Sequence, residues 1–488
     1  MLATDLGSRL ELFVDDHAVE RIEGDALLRL HQPIPRERVL THDAPWEGTG
    51  SGYHTVIYDG DLYRLYYRGW HLEVDGASLR SNRHPPYACL ALSTDGIHWE
   101  KPELGIVDFR GPTANNIILE GVGMHNFAPF LDVNPNCAGD ARFKALAGTK
   151  AEGGLFLFAS PDGVHWSMVA EDPVITDGAF DSQNVAFWDS ELGKYRAYWR
   201  FFTGGGTSGK VWAPKGVRAI RTAVSDDLFH WTDQEDLTYV DSPADEHLYT
   251  NQVFSYNRAP HIQIGFPTRY VDRGWSEVMR ALPDCENREV RAVPEERLGT
   301  AITEGLLMAG RDGVTFKRWN EAFLRPGPER PGTWSYGHQY IACNVVETAS
   351  SLPGAPPELS LYAGEDYWIG SGSAVRRYSL RLDGFVSVSA PMSGGSLLTK
   401  PVTFEGRCLE LNLATSAAGS VRVELQRPDG TAIDGFALSD CQDVFGDAIA
   451  RKVTWTGGED VSALQGEPVR LCFELRDADL YAFRFCGT

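Results

Sequence analysis

One seven-residue phrase recurs along this chain and limits what it can fold into. It reads Ser93-Thr94-Asp95-Gly96-Ile97-His98-Trp99, then Ser160-Pro161-Asp162-Gly163-Val164-His165-Trp166, then Ser225-Asp226-Asp227-Leu228-Phe229-His230-Trp231. Shorter versions follow at Arg311-Asp312-Gly313-Val314-Thr315-Phe316 and Arg381-Leu382-Asp383-Gly384-Phe385. Asp-Gly suits a tight hairpin, because glycine takes a positive φ at no steric cost. The aromatic residue then opens the next strand and packs between sheets. These aromatics lie roughly 65 to 85 residues apart, the length of one four-stranded sheet plus its loops.

A second series precedes each turn: residues 52–58, 125–131, 180–188, 251–256 and 337–343. Each begins polar, becomes apolar, meets a turn and continues into a second strand, at 62–68, 142–147, 195–200, 261–269 and 359–365. Five such units predict an all-β chain, a five-bladed β-propeller over residues 1–387. Residues 1–45 are available to supply an outer strand that closes the ring. After about residue 387, alternating segments such as Cys408-Leu409-Glu410-Leu411-Asn412-Leu413 take over, so residues 388–488 read as a β-sandwich. Blade 4 carries an insertion from about 270 to 300, which reads as a rim or lid loop. Gly204-Gly205-Gly206 reads as a flexible loop, and it lacks the strand-to-helix setting of a phosphate loop.

The formal net charge of -22 disfavours nucleic acid and anionic membrane as partners, since both need basic surface. None of the 8 cysteines forms a CxxC pair, and several fall inside strand patterns. They read as small buried hydrophobes in a reducing compartment, with disulfides left open because sequence cannot pair them. The first nine residues hold no apolar signal-peptide core. As given, the chain is expected to be cytoplasmic, although a trimmed exported protein would look the same. Oligomeric state is left open.

The turns of the form Ser-x-Asp-Asp-Leu-x-His-Trp, best seen at 224–231, together with a five-bladed ring and a trailing sandwich, resemble glycoside hydrolase families 32, 43 and 68. The resemblance covers nearly the whole chain in architecture and short motifs in residues. It implies a site at the funnel mouth built from three acids on successive inner strands. This sequence departs from that register. Blade 1 offers Ser51-Gly52-Tyr53-His54 and blade 2 offers His125-Asn126, so Asp181 in blade 3 is the first inner-strand aspartate. Glu246 precedes the strand of blade 4 much as the family glutamate precedes its own.

Glycoside cleavage needs one carboxyl to protonate the leaving oxygen and another to attack or to activate water. Asp181 as base or nucleophile and Glu246 as acid form the expected pair, with Glu365 at the end of blade 5's second strand as a third acid. Glu47 lies just before blade 1's inner strand and reads as an acid or a rim charge. Asp15 and Asp16 read as structural. Arg68, Arg200 and Arg269 recur at one structural position, where guanidiniums could grip a carboxylate, sulfate or phosphate or could bridge blades. His54, His125 and His338 start inner strands and could bind sugar hydroxyls or hold a metal, though no HxH or HExxH spacing supports the metal. Asn126, Gln183, Asn184 and Asn251 suit hydroxyl recognition or backbone satisfaction. Tyr53, Trp70 and Trp334 could stack on a sugar face.

No cofactor is expected to be required, and a structural Ca2+ or other metal in the funnel stays open. The expected partner is a carbohydrate, neutral or anionic. The expected function is that of a carbohydrate-active enzyme, a glycoside hydrolase first. A phosphorylase or transferase on the same scaffold, or a non-catalytic glycan-binding propeller, are the alternatives.

Overall fold

The computed structural model describes residues 3–75, 78–80, 83–111, 113–205, 214–243 and 245–487, without the side chains of 74, 75 and 78–80. Gly206, in the glycine-rich loop, lies outside the described residues.

Blade 3 shows a gradient from an apolar, buried inner strand, Val185–Asp189, to a polar, exposed outer one, Trp231–Asp236, whereas blade 1 ends on the buried, apolar Ile117–Leu119. That gradient follows from position in the ring. A strand near the axis meets neighbouring blades on both sides, and a rim strand meets water. Blade 1 pairs Gly52–Tyr58, Tyr63–Gly69, Tyr87–Ser93 and Ile117–Leu119 in order, and blade 2 pairs Ala128–Leu131, Phe143–Ala147, Phe156–Ser160 and Ser167–Met168. Blade 3 pairs Val185–Asp189, Lys194–Phe202, Arg218–Ser225 and Trp231–Asp236. Blade 4 is built on Phe254–Tyr256, Ala259–Gly265, Met308–Gly310 and Thr315–Arg318, with Thr238–Val240 added in parallel at the rim. The ring is a five-bladed β-propeller.

Blade 5 takes Val346–Thr348, Glu358–Glu365 and Ala374–Arg381 from its own stretch of chain and its fourth strand, Ile34–Thr41, from near the N-terminus. Residues 4–30 go elsewhere. Val19–Gly24 and Leu27–Leu30 pair with Gly395–Thr399 and Val386–Ala390, inside the sheet of the C-terminal unit. The long strands Cys408–Gln426 and Arg470–Cys486 form the spine of that unit. Asp383, in the fifth turn, is buried at the join. It accepts from Tyr256 Oη and Arg258 Nε, both at 2.8 Å, and from Asn412 Nδ2 at 3.1 Å.

The recurring turn phrase is a hydrogen-bonded unit. In the first copy the Asp95 carboxylate accepts from the backbone N–H groups of Ile97 and His98, both at 2.8 Å, and lies 2.7 Å from His98 Nδ1. Trp99 Nε1 donates to Gly96 O at 3.2 Å. The copies at Asp162 and Asp227 repeat this pattern. The turns also latch the blades. Tyr66 of blade 1 donates to Gly163 O in the turn of blade 2 at 2.9 Å, and Tyr362 of blade 5 donates to Gly96 O in the turn of blade 1 at 2.5 Å. Both phenols are buried, so deleting either hydroxyl strands a carbonyl. Tyr66→Phe and Tyr362→Phe are each expected to cost about 1 kcal/mol, read as a lower urea midpoint with unchanged m-value.

Candidate functional site

Inner strands start, and second strands finish, at one end of the ring. Side chains there wall a cavity of about 300 Å3. Tyr53 and Arg68 come from the inner and second strands of blade 1, and His125 and Asp181 from the approaches to blades 2 and 3. Arg200 and Arg218 come from the second and third strands of blade 3. Tyr249, Tyr336 and Tyr367 come from segments bordering blades 4 and 5. Glu295, Arg297 and Leu298 reach in from the blade 4 insertion. That insertion is helical rather than a loop, with Glu277–Ala281, Cys285–Ala292 and Arg297–Thr300 anchored by buried Arg288 and Arg291. Arg291 donates to the carbonyls of Tyr336 and Tyr367, which ties the insertion to the tyrosine wall.

The backbone at this end is strained. Tyr53, Gln252, Gln339 and Trp368 hold φ values of 55°, 49°, 61° and 62°, a region that side-chain-bearing residues rarely adopt. Below the cavity, Gln252 Nε2 donates to Gln183 Oε1 at 2.6 Å and to Ile341 O at 3.0 Å, and Gln183 Nε2 donates to Thr55 Oγ1 at 2.7 Å. These buried amides link blades 1, 3, 4 and 5 across the axis.

Four guanidiniums face two carboxylates in the wall. Asp181 pairs with Arg200, and Glu295 grips Arg297 with contacts of 2.6 and 2.8 Å. Arg68 and Arg218 have no carboxylate partner among the described residues. Arg68 lies between the rings of Tyr53 and Trp70, its guanidinium carbon 4.5 Å from each centroid, and donates to Gly50 O at 2.7 Å and Tyr367 Oη at 3.1 Å. Arg218 lies 4.5 Å from the Tyr270 centroid and 3.3 Å from His247 Nδ1. Aromatic faces and neutral acceptors hold these two charges without cancelling them.

The field shifts its neighbours. Burial, then Arg68 and Arg200, holds His125 well below the usual imidazole value, so it is neutral. Burial pushes Tyr53, Tyr336 and Tyr340 well up. Tyr249 moves the other way. Burial raises it, but Arg200, the hydrogen bond from Tyr336 and Arg218 outweigh burial and bring it down to about 8.

Neither a protein-family model nor a curated protein sequence matches this chain. Solved structures do. A thermostable family-43 glycoside hydrolase is 12% identical, with a TM-score of 0.41, over 69% of this chain and 92% of that one. The GH32 β-fructofuranosidase of Bombyx mori is 12% identical, with a TM-score of 0.39, over 94% of both chains. A structure from the GH130 family of mannoside phosphorylases, described as containing glycoside hydrolases that target β-1,2 mannosidic linkages, is 14% identical, with a TM-score of 0.38, over 75% of this chain and 96% of that one.

Of the residues singled out from sequence, the pocket gathers Asp181, Tyr53, Arg68, Trp70, His125 and Arg200. The expected acids do not all arrive. Glu246 is bound by Arg318 at 2.7 Å and Arg269 at 3.2 Å, and Arg269 also holds Glu304; none of the four lines the cavity. Glu365 is fully buried, where Arg330, Arg376 and Arg38 converge on it. Burial alone would raise its carboxyl, but Arg376 and Arg330 prevail and hold it below the ordinary value. Glu47 is buried against Tyr67 Oη at 2.5 Å and Lys101 at 2.6 Å. In each case a neighbouring cation or phenol has claimed the carboxylate for the framework.

The remaining polar candidates also satisfy the framework. Asn126 donates to the carbonyls of Gly148, Phe180 and Ser182. Asn184 donates to Phe180 and Ser182, and Asn251 to Gln183 and Tyr198. His54 lies 3.3 Å from His42 in the core, His338 accepts from the Trp334 N–H at 3.2 Å, and Trp334 itself donates to Gly327 O. Among the described residues, the side chains close enough to share a metal are Cys408, Glu410 and Cys486, on the sandwich rather than in the funnel. Sequence reading missed Arg218, Tyr249, Tyr336, Tyr367 and Arg297. Only the insertion, already marked as a rim element, pointed toward any of them. A second cavity of about 340 Å3, bordered by Tyr58, Tyr63 and Arg258, opens at the far ends of the inner strands, and Arg258 there is neutralised by Asp383.

The framework groups should respond in two ways. Glu365→Gln leaves three guanidiniums around a neutral amide and is expected to cost about 3 kcal/mol in urea unfolding, with ligand binding in the pocket retained by the folded fraction. His42 and His338 are held neutral by burial, both brought to about 3. The unfolded chain protonates them near about 6.5, so unfolding takes up protons between those values and stability falls as pH drops through that window. Thermal melts between about pH 7 and 4 should show the fall, and His338→Asn should remove about 1.4 kcal/mol per pH unit of the slope.

Proposed function

We propose that this pocket binds the anionic end of a carbohydrate and that the protein is a carbohydrate-active enzyme working on the glycosidic bond held there. One observation carries the reading: Arg68 and Arg218 bring positive charge into a tyrosine-walled cavity, and among the described residues no carboxylate is set against them. An acidic sugar supplies the missing anion for the guanidiniums and a ring face for the tyrosines. A cavity near 300 Å3 is small for a ligand site, which suits a terminal sugar better than the middle of a polymer. The whole chain carries a charge of -22, so this positive pocket is a local arrangement.

Asp181 is the group proposed to move protons. It is the one carboxylate in the wall contributed by the propeller itself, and 39% of its side chain is exposed to the cavity end. A substrate anion on Arg200 competes with Asp181 for that guanidinium and leaves the carboxyl free to hold and release a proton. Guanidiniums suit phosphate as well, so phosphorolysis on the same site is the second reading, told apart by whether cleavage requires inorganic phosphate.

Thermal shift with D-glucuronate, D-galacturonate and N-acetylneuraminate, against methyl D-glucoside and inorganic phosphate, tests the proposal. At least one sugar acid should raise the melting temperature while the neutral sugar does not. Arg218→Ala should weaken that acid's binding about 10- to 100-fold, the loss of one charge-assisted hydrogen bond. Equal shifts from neutral and acidic sugars, or acid binding untouched by Arg218→Ala, would sink it.

A further inference from the structure

We infer that Tyr249 is the nucleophile of this pocket, its phenolic oxygen attacking the anomeric carbon of the bound sugar. The inference rests on the carbohydrate reading above and deepens it by naming the attacking atom.

Tyr249 follows the short strand His247–Leu248, and its own N–H donates to Thr268 O at 2.7 Å, which fixes the backbone where blade 4 meets the pocket. Its ring is held by stacking on Tyr340, centroids 5.4 Å apart, and by the edge of Tyr336 at 5.8 Å. Its hydroxyl oxygen accepts a hydrogen bond from Tyr336 Oη at 2.8 Å. A phenol that accepts from another phenol is prepared to carry negative charge. The guanidinium carbons of Arg200 and Arg218 lie 5.0 and 5.6 Å from its ring centroid. The groups facing it are two cations, from the second and third strands of blade 3, with Asp181 paired to Arg200 in the same wall, and the phenols Tyr53, Tyr270, Tyr336, Tyr340 and Tyr367 from blades 1, 4 and 5. The two cations and the hydrogen bond from Tyr336 favour the phenolate, and together they outweigh burial, which opposes it. The shift of Tyr249 to about 8, against the upward shift of its tyrosine neighbours, agrees with that geometry. Glu246 and Glu365 are held in ion pairs away from the cavity, and Glu295, the second carboxylate in its wall, is gripped by Arg297. A tyrosine nucleophile is an established alternative for glycosidic chemistry.

The step balances within the site and water. The Tyr249 oxygen forms a bond to the anomeric carbon, and the glycosidic C–O bond breaks with its electron pair staying on the leaving oxygen, which takes the proton of the Asp181 carboxyl. Water then bonds to the same carbon, its proton returns to Asp181, and Tyr249 departs as phenolate. Two displacements retain the anomeric configuration.

The test uses the full chain and a probe that needs no known substrate. 4-(Fluorosulfonyl)benzoate carries a carboxylate for the arginines and a sulfonyl fluoride that a phenolate attacks, with the O–S bond forming as fluoride leaves. Benzenesulfonyl fluoride is the uncharged comparison. Peptide mapping should find the label on Tyr249. The labelling rate should rise with pH through a midpoint near 8, where an ordinary tyrosine would need about 10. Tyr249→Phe should lose the label. Tyr336→Phe, which keeps the nucleophile and removes its hydrogen-bond donor, should keep the label with the midpoint moved upward. Circular dichroism of each variant reports folding. A label elsewhere, no label on folded protein, or a midpoint near about 10 overturns Tyr249 as nucleophile, whatever the carboxylated probe's advantage. Labelling of Tyr249 with no advantage for the carboxylated probe leaves the nucleophile standing and overturns the anionic-substrate reading instead.

Discussion

The structure depends on one pairing between distant parts of the chain. Ile34–Thr41 lies antiparallel to Ala374–Arg381 and becomes the outer strand of blade 5. Without it, blade 5 would end on an open edge, with backbone N–H and C=O groups unpaired. The closure also sets blade 1 against blade 5 at the axis, where Val56 N donates to Cys343 O and Cys343 N donates to His54 O, at 3.0 and 2.9 Å. Near the pocket, Trp368 N reaches Thr49 O at 2.8 Å and Ser373 Oγ donates to Ser51 O at 2.9 Å. Arg68 and Tyr367, from opposite sides of this seam, then touch. The pocket wall is thus a consequence of closing the ring.

Closure also explains how so many cations are tolerated in a dry place. A buried guanidinium without a counter-ion loses its hydration and must recover it from fixed dipoles and π faces. Arg68 does so with Gly50 O, Tyr367 Oη and two aromatic rings. Arg200 relies on Ala179 O at 3.2 Å together with Asp181. The strained residues Tyr53 and Trp368 are among those that supply the rings and the border of this cavity, so local backbone strain and the unbalanced charge occur together. That combination is stable only because the surrounding sheets hold every partner in place, and it leaves the positive charge directed at the cavity.

The acids show how sequence can mislead about a site. Glu246, Glu365 and Glu47 all stand at strand ends facing the funnel end in sequence register, as a catalytic acid would. What separates them from Asp181 is the partner across the fold. Arg318 and Arg269 reach Glu246, three arginines reach Glu365, and Lys101 with Tyr67 reaches Glu47. None of these partners is near in sequence to the acid it binds, apart from Arg376 eleven residues from Glu365. A carboxylate's role is set by what desolvates and neutralises it, which strand periodicity does not encode. Tyr249 was overlooked for the matching reason: an isolated tyrosine in sequence is a packing residue until two arginines and a second phenol surround it.

The sequence alone determined the repeat and its direct consequences. Turn chemistry at Asp95, Asp162 and Asp227 is local, because the carboxylate, the glycine or leucine and the tryptophan that make each turn are within seven residues of one another. The apolar inner strand that follows a polar start is likewise written into each unit, so the all-β class and the number of blades could be counted. The tertiary structure decided the rest. It sent the strands within residues 4–30 to the C-terminal unit, with Glu11, Asp15 and Asp16 reaching Arg311 and Lys317 of blade 4, gave 34–41 to blade 5, shaped the insertion into helices, and chose which charges meet. Those outcomes depend on contacts between residues tens to hundreds of positions apart, whose energies belong to the closed ring and to no segment of it.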